Sequence, residues 1–148
     1  MRSTSIFPIV LFGLFGVLPF VIWTLFAITG TSLMGYSGVQ LFASYGAIIL
    51  SFFNGVVFGQ VIENPQRTYS RRVMLFSHLI SLLAWGTLLM GVPTLAVVVL
   101  LLGFISTFWL EIRCLKLLFA HSDGHSRTRF VLITIVCVLH ILVLFPHY

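Results

Sequence analysis

The chain has 148 residues, of which 59% are hydrophobic and 7% are charged. A soluble domain carries roughly 25% charged residues, so this composition excludes a soluble globular protein and indicates lipid as the main solvent. The formal net charge is +5, from eight basic and three acidic residues.

Long uncharged stretches dominate the sequence. No Asp, Glu, Lys or Arg occurs between Arg2 and Glu63, between Arg72 and Glu111, or after Arg129. A membrane-spanning helix takes about 20 residues at about 1.5 Å per residue. The three stretches are therefore long enough for two, two and one spanning helices.

The predicted fold class is an all-α integral membrane protein, in which residues 1–148 form one domain, a bundle of five transmembrane helices. Strands are the competing interpretation. Open strands leave backbone groups unpaired in lipid, and barrel strands alternate polar with apolar residues, which these stretches do not. The helices are predicted at about residues 6–29, 39–62, 73–90, 93–112 and 130–145.

The first helix carries Pro19 in its interior. Proline lacks the amide hydrogen that would bond the carbonyl of Phe15, so we expect a helix kink at Pro19. The kink is either a packing bend or a hinge that lines a cavity. The apolar run is longer than the roughly 7–15-residue core of a signal peptide, so we expect this helix to be retained.

The second helix has a small residue at every fourth position. Side chains four apart lie on nearly one line of a helix, so the row predicts a shallow helix-packing groove. Small residues let helix backbones approach in lipid, where little hydrophobic force drives association. The occupant is either another helix of this chain or a second membrane subunit or copy. The row consists of Ala43, Ala47, Ser51, Gly55 and Gly59.

Two amides accompany this row. Asn54 lies beside Gly55, and burying an amide in lipid without a partner is costly, so we expect it to point inward. There it either bonds a neighbouring helix or contacts a substrate or ion. Gln60 lies near the predicted cytoplasmic end of the helix and is also a candidate polar group.

Three further polar residues lie within or at the ends of later helices, namely His78, Glu111 and His140. The two histidines differ in depth by about two turns, so we do not expect a bis-histidine haem. We also expect no metal site and no other cofactor. Glu111 is the acid nearest the hydrocarbon, and a proton relay would need a second acid at depth, which the sequence lacks.

Charge placement predicts the orientation. With five crossings, the N-terminus and the loops 63–72 and 111–129 lie on one side and hold all eight basic residues. The opposite side has no charged side chain, so we expect a cytoplasmic N-terminus, an outside C-terminus and anionic lipid at the cytoplasmic face. No stacking aromatics accompany the basic residues, which argues against nucleic-acid binding. An interfacial aromatic belt is predicted from Trp23, Tyr36, Tyr45, Trp109 and Tyr148.

Two segments resemble a known family. LFGLFGVLPF at Leu11–Phe20 is similar to its first conserved segment, and YGAIILSF at Tyr45–Phe52 is similar to its most characteristic motif. The family is the uncharacterised transmembrane-protein-69-like one of bacterial inner membranes and mitochondria. Val57-Phe58-Gly59 stands where that family has His-Trp-Gly, so no role of that histidine transfers. The resemblance implies fold and membrane location only.

No motif for catalysis is present. The sequence has no recognisable nucleophile–base pair, phosphate-binding loop or HExxH segment, and we expect that the protein is not an enzyme. We interpret it as a multi-pass inner-membrane protein that acts as an accessory, assembly or interaction subunit. The alternative is an oligomeric carrier or channel for small solutes.

Overall fold

The computed structural model describes residues 6–63, 70–115 and 123–145. This part of the chain holds five α-helices, a two-stranded antiparallel ribbon and a π-helix. The five predicted helices are therefore present, whereas the number that cross a membrane stays a prediction. In chain order the elements are α1 (Ile6–Thr29), β1 (Ser32–Leu33), β2 (Tyr36–Ser37), α2 (Gly38–Glu63), α3 (Ser70–Leu88), α4 (Pro93–Leu110), the π-helix (Glu111–Leu115) and α5 (Asp123–Leu144).

Three segments are long and apolar enough to cross a membrane: Leu11–Thr29, Gly38–Ile62 and Pro93–Arg113. A shorter apolar helix covers Thr128–Leu144. α3 is less apolar, because it begins with two arginines and contains His78.

The outer surface of the bundle is apolar. Phe12 is 76% exposed, Phe52 is 65% exposed and Trp85 is 60% exposed. A soluble monomer rarely exposes large continuous apolar patches. The exposed rings, together with the apolar helices, indicate a membrane protein.

A tight hairpin connects α1 to α2. Gly30 adopts a left-handed conformation (φ 67°) just after α1, and the Thr31 amide bonds the carbonyl of Phe26, which is the bonding pattern of a Schellman helix end. Met34 and Gly35 form the turn of the ribbon, both with positive φ. A two-residue turn of this kind matches the twist of antiparallel strands.

The start of α2 is capped by its own sequence. The Gln40 amide donates to the Ser37 hydroxyl oxygen (3.2 Å), and the Ser37 amide donates to the Gln40 side-chain oxygen (2.9 Å). This reciprocal pair is a capping box. Gly38 lies against the α1 backbone, since a Cβ there would be 2.4 Å from the Ala27 nitrogen.

α2 is the central helix, packing against α1, α3 and α4, while α5 packs against α1 and α4. Two other glycines allow close contact between helices. A Cβ on Gly13 would lie 2.7 Å from Leu132, and a Cβ on Gly103 would lie 2.5 Å from Leu50. α5 therefore packs closely against α1 at Gly13, and α2 packs closely against α4 at Gly103.

The end of α4 and the start of α5 differ from expectation. The chain continues from α4 into a π-helix, Glu111–Leu115. α5 begins at Asp123 rather than near residue 130. Arg129, predicted to lie in a loop, is therefore a helical residue, which changes what its side chain contacts.

Candidate functional site

The structure divides the row of small residues between two surfaces. Ala43 and Ala47 are buried in the core, with 5% and 3% exposure. Ser51 is half-buried, and Gly55 and Gly59 are exposed. A Cβ built on either glycine would meet no atom within 4 Å.

Helix geometry explains this division. Four residues turn about 400°, which is about 40° more than a full turn. From Ala43 to Gly59 the row therefore rotates by about 160° around α2. It begins on the core face and ends on the outer face, where the apolar residues Ile48, Phe52 and Ile62 are also exposed.

Asn54 lies on the core face of α2 with 1% exposure. Its Nδ2 donates to the Leu50 carbonyl at 2.9 Å and to the Thr107 hydroxyl oxygen at 3.0 Å. Thr107, which is fully buried on α4, donates its own hydroxyl hydrogen to the Gly103 carbonyl at 2.9 Å. The amide therefore joins α2 to α4 by a side-chain hydrogen bond.

Glu111 pairs with Arg129 of α5. Glu111 Oε1 and Arg129 Nη1 are 2.8 Å apart, and the side chains are 16% and 18% exposed. The Arg129 guanidinium carbon also lies 5.4 Å from the centre of the Phe53 ring, within cation–π range. The pair links α5 to the start of the π-helix.

These two polar pairs share one face of α4. Thr107 and Glu111 are four residues apart, so they occupy neighbouring turns on the same side of the helix. Phe53, under the guanidinium, precedes Asn54 on α2. We call Asn54, Thr107, Glu111 and Arg129 the inner polar cluster.

A second cluster surrounds His140, which is fully buried. Its Nδ1 lies 2.8 Å from the Val136 carbonyl, and because a carbonyl only accepts, Nδ1 carries the proton. Three rings surround the imidazole, with centroids 4.7 Å (Phe42), 5.2 Å (Phe104) and 5.8 Å (Phe20) away. We call these four residues the aromatic–histidine cluster.

Pro19 lies next to this cluster, inside the continuous helix α1. It gives no amide hydrogen to the Phe15 carbonyl, and the kink expected there stays a prediction. The Tyr45 hydroxyl donates to the Gly16 carbonyl at 2.8 Å. The Tyr45 ring also packs edge-on against Phe20, with centroids 4.8 Å apart. Tyr45 thus faces α1, and its place in an interfacial belt stays a prediction.

Two other candidates lie elsewhere on α2 and α3. His78 is exposed on α3, and Gln60 is half-buried on α2. Between residues 6 and 145, the described side chains form no group of three or more His, Cys, Asp or Glu that would hold a metal ion. The two predicted histidines are thus in different environments, one exposed and one enclosed by rings.

A comparison with protein families matches residues 6–145 to DUF3429, described as a protein of unknown function. The chain belongs to this family. No curated protein and no solved structure matches the chain. The match covers both clusters and the outer face of α2, so these features lie within the DUF3429 domain.

Sequence reasoning did not find five residues of the two clusters in this DUF3429 domain, namely Arg129, Thr107, Phe20, Phe42 and Phe104. A basic residue next to an apolar stretch ordinarily marks a helix end, so the sequence predicts Arg129 in a loop. The three phenylalanines have no local signal for contact with a histidine. The usable signal for Thr107 is its spacing of four from Glu111, which places both on one face of a helix.

Proposed function

We propose that this protein is a non-enzymatic accessory or assembly subunit of the inner membrane, which binds another membrane helix through the outer face of α2. The observation that carries the proposal is the open Gly55–Gly59 surface. Both glycines are exposed with nothing within 4 Å of a Cβ position. Exposed Phe52 and Ile62 flank them.

The physical argument concerns helix association in lipid. Two glycines four apart allow a second backbone to come close, and dispersion contacts then accumulate along both helices. Within the described chain this surface has no helix against it, whereas Ala43 and Ala47 at the other end of the row are covered. The occupant is another subunit or a second copy.

Cysteine crosslinking in native membranes tests the proposal. Gly55→Cys and Gly59→Cys are expected to crosslink to a partner that mass spectrometry then identifies. Gly86→Cys on α3 is the matched control, because a Cβ there also meets no atom within 4 Å. Native mass spectrometry of a lone monomer, with no crosslink at either α2 position, would contradict the proposal.

A bulky substitution separates assembly from folding. Gly55→Leu and Gly59→Leu should leave the helix content of the monomer unchanged, because no described atom is in the way. They should remove the partner from the purified complex, whereas Gly86→Leu should retain it. Loss of helix content in the α2 variants would show that the surface is part of the fold instead.

The proposed orientation has five crossings, with the N-terminus in the cytoplasm and the C-terminus outside. All eight basic residues then lie on the cytoplasmic side or at its edge, next to anionic lipid. The inner membrane is supported by the resemblance of Leu11–Phe20 and Tyr45–Phe52 to the transmembrane-protein-69-like proteins. Reporters fused after Tyr148 and inserted within 64–69 should report opposite compartments; a shared compartment would refute five crossings.

A small-solute carrier or channel is the second candidate. It is favoured by Asn54, which is buried within the bundle yet keeps its Oδ1 without a hydrogen-bond partner among the described residues. Polar groups at membrane depth often contact transported species. Solute flux into liposomes that is unchanged by Asn54→Leu would argue against this candidate.

A further inference from the structure

Two buried atoms of the inner polar cluster have opposite hydrogen-bonding character. Asn54 Oδ1 accepts and Arg129 Nη2 donates. Neither has a partner among the residues that the structure describes, and both are shielded from solvent. Such orphaned groups are uncommon in folded proteins, and each one needs an explanation.

The amide orientation of Asn54 follows from its neighbours. The Leu50 carbonyl can only accept, so the group that faces it must be the NH₂ group. Thr107 gives its hydroxyl hydrogen to the Gly103 carbonyl, so it too accepts from Asn54. Both contacts therefore require nitrogen at this position, and the oxygen lies on the opposite side of the amide.

The Arg129 guanidinium contacts the helix one turn beyond Thr107, at Glu111. The Glu111 side chain projects back towards the helix N-terminus, over the turn that holds Thr107. Arg129 Nη1 meets that carboxylate at 2.8 Å. The guanidinium also covers Phe53, the residue before Asn54. Asn54 and Arg129 thus belong to neighbouring contacts, since Asn54 bonds Thr107 while Arg129 pairs with Glu111, four residues on, and covers Phe53.

We propose that the inner polar cluster is a binding site for a small neutral protic molecule, which donates to Asn54 Oδ1 and accepts from Arg129 Nη2. Water and the hydroxyl group of a small solute share this chemistry. A site with both a donor and an acceptor to satisfy suits such a molecule.

An anion does not fit this site. The charge of Arg129 is already matched by Glu111, so an added anion would face a carboxylate nearby. The anion would also bring only lone pairs to Asn54 Oδ1, which needs a donor. A cation would satisfy Asn54 but would be repelled by the guanidinium.

The adjoining π-helix is consistent with a ligand site. It begins at Glu111, the residue that holds Arg129. π-Helical turns are rare and occur frequently at functional sites, where they alter the direction of a side chain. Here the turn carries the residue that orients the guanidinium.

Solid-state NMR of the isotope-labelled full chain in lipid vesicles tests the site. Magnetisation transferred from water protons is expected to reach the Arg129 side-chain nitrogens and Asn54 Nδ2. The exposed Arg72 side chain is the positive control, and the amide of fully buried Val97 is the negative control. Transfer at Arg129 and Asn54 no stronger than at Val97 would overturn the proposal.

A repeat in deuterated water with protonated glycerol separates the two sources. Transfer from glycerol C–H protons to the cluster would identify a solute-sized site. Transfer from water alone would identify water as the ligand. Both results support the site, and transfer from neither source refutes it.

Two variants test whether the orphan atoms form one site. Asn54→Leu removes Oδ1 and should abolish transfer to Arg129. Thr107→Val is the matched control, because it also breaks the Asn54–Thr107 bond but leaves Oδ1 in place, so transfer should persist. Because the Arg129 side chain is 18% exposed, the comparison with Asn54→Leu decides whether the water is bound between the two groups, and equal transfer in wild type and Asn54→Leu would refute a joint site.

This inference is independent of the subunit proposed above. The inner polar cluster lies on the core face of α2, while Gly55 and Gly59 lie on the outer face. Crosslinks at Gly55 and Gly59 are expected even if the NMR test fails, and transfer of magnetisation to Arg129 is expected even if no crosslinks form.

Discussion

Replacing Gly38 by alanine should push apart the end of α1 and the start of α2, where the hairpin joins the two helices. A Cβ at this position would lie 2.4 Å from the Ala27 nitrogen and 2.4 Å from the Phe26 carbonyl carbon. Cβ contacts under 3.0 Å are essentially never observed. The obstacle is backbone, so no side-chain rotation relieves the overlap, and the helix ends must move apart.

The expected loss of stability comes from comparing two opposing effects. Alanine gains up to about 1 kcal/mol over glycine in a helix interior, and less in the first turn. Overpacking a close contact costs roughly 1–3 kcal/mol. Gly38→Ala should therefore lower the free energy of unfolding. Gly55→Ala, at an open position on the same helix, should raise it by up to about 1 kcal/mol.

Reversible unfolding in mixed micelles titrated with SDS, followed by tryptophan fluorescence, measures this difference. Gly38→Ala should unfold at a lower SDS fraction than wild type, and Gly55→Ala at an equal or higher one. Gly103→Ala should fall between them, since its Cβ would meet a mobile Leu50 methyl group rather than backbone. Equal midpoints for the Gly38 and Gly55 variants would refute the packing argument.

Three other outcomes are expected in the same unfolding assay. Tyr45→Phe should cost about 0.5–1.5 kcal/mol by removing its hydrogen bond to the Gly16 carbonyl; an unchanged unfolding midpoint would contradict a contribution from this bond. His140→Phe should leave the free energy of unfolding nearly unchanged, because the imidazole Nε2 has no partner among the described residues. His140→Ala should lower it by about 3–5 kcal/mol, as truncation of a buried ring does. Equal losses of stability in the two variants would argue against a packing role. Glu111→Gln should cost about 3 kcal/mol of stability by leaving the Arg129 charge unmatched. Adding Arg129→Gln should recover part of that loss. A double variant less stable than Glu111→Gln would count against a stabilising Glu111–Arg129 ion pair.

The helices were predictable because uncharged stretches set their number and approximate positions. The start of α5 was not predictable, because placing Arg129 at a helix end assumes that a charged side chain must lie outside the bundle. Here Glu111 and Phe53 provide contacts that let the guanidinium stay inside. The ribbon was also missed, because Met34-Gly35 is not the Asn-Gly pair that usually indicates such a turn.

The site was predictable only in part. Asn54 was expected to point inward from the cost of burying an unpaired amide, and it does. The outward turn of Gly59 is predictable from the helix angle, because four residues turn about 40° more than a full turn and the excess adds up along the row. The rings around His140 come from three other helices, and a single sequence does not give the rotation of those helices about their axes.

The tight connection between α1 and α2 limits how the bundle is able to rearrange. A turn of only two residues, locked by positive φ values at Met34 and Gly35, leaves no slack for one helix to slide along the other. The contact of Gly38 with the α1 backbone acts in the same direction. Sliding of α1 along α2 is therefore restricted at this end, so we expect a rearrangement of the bundle to occur at the contacts with α3, α4 and α5.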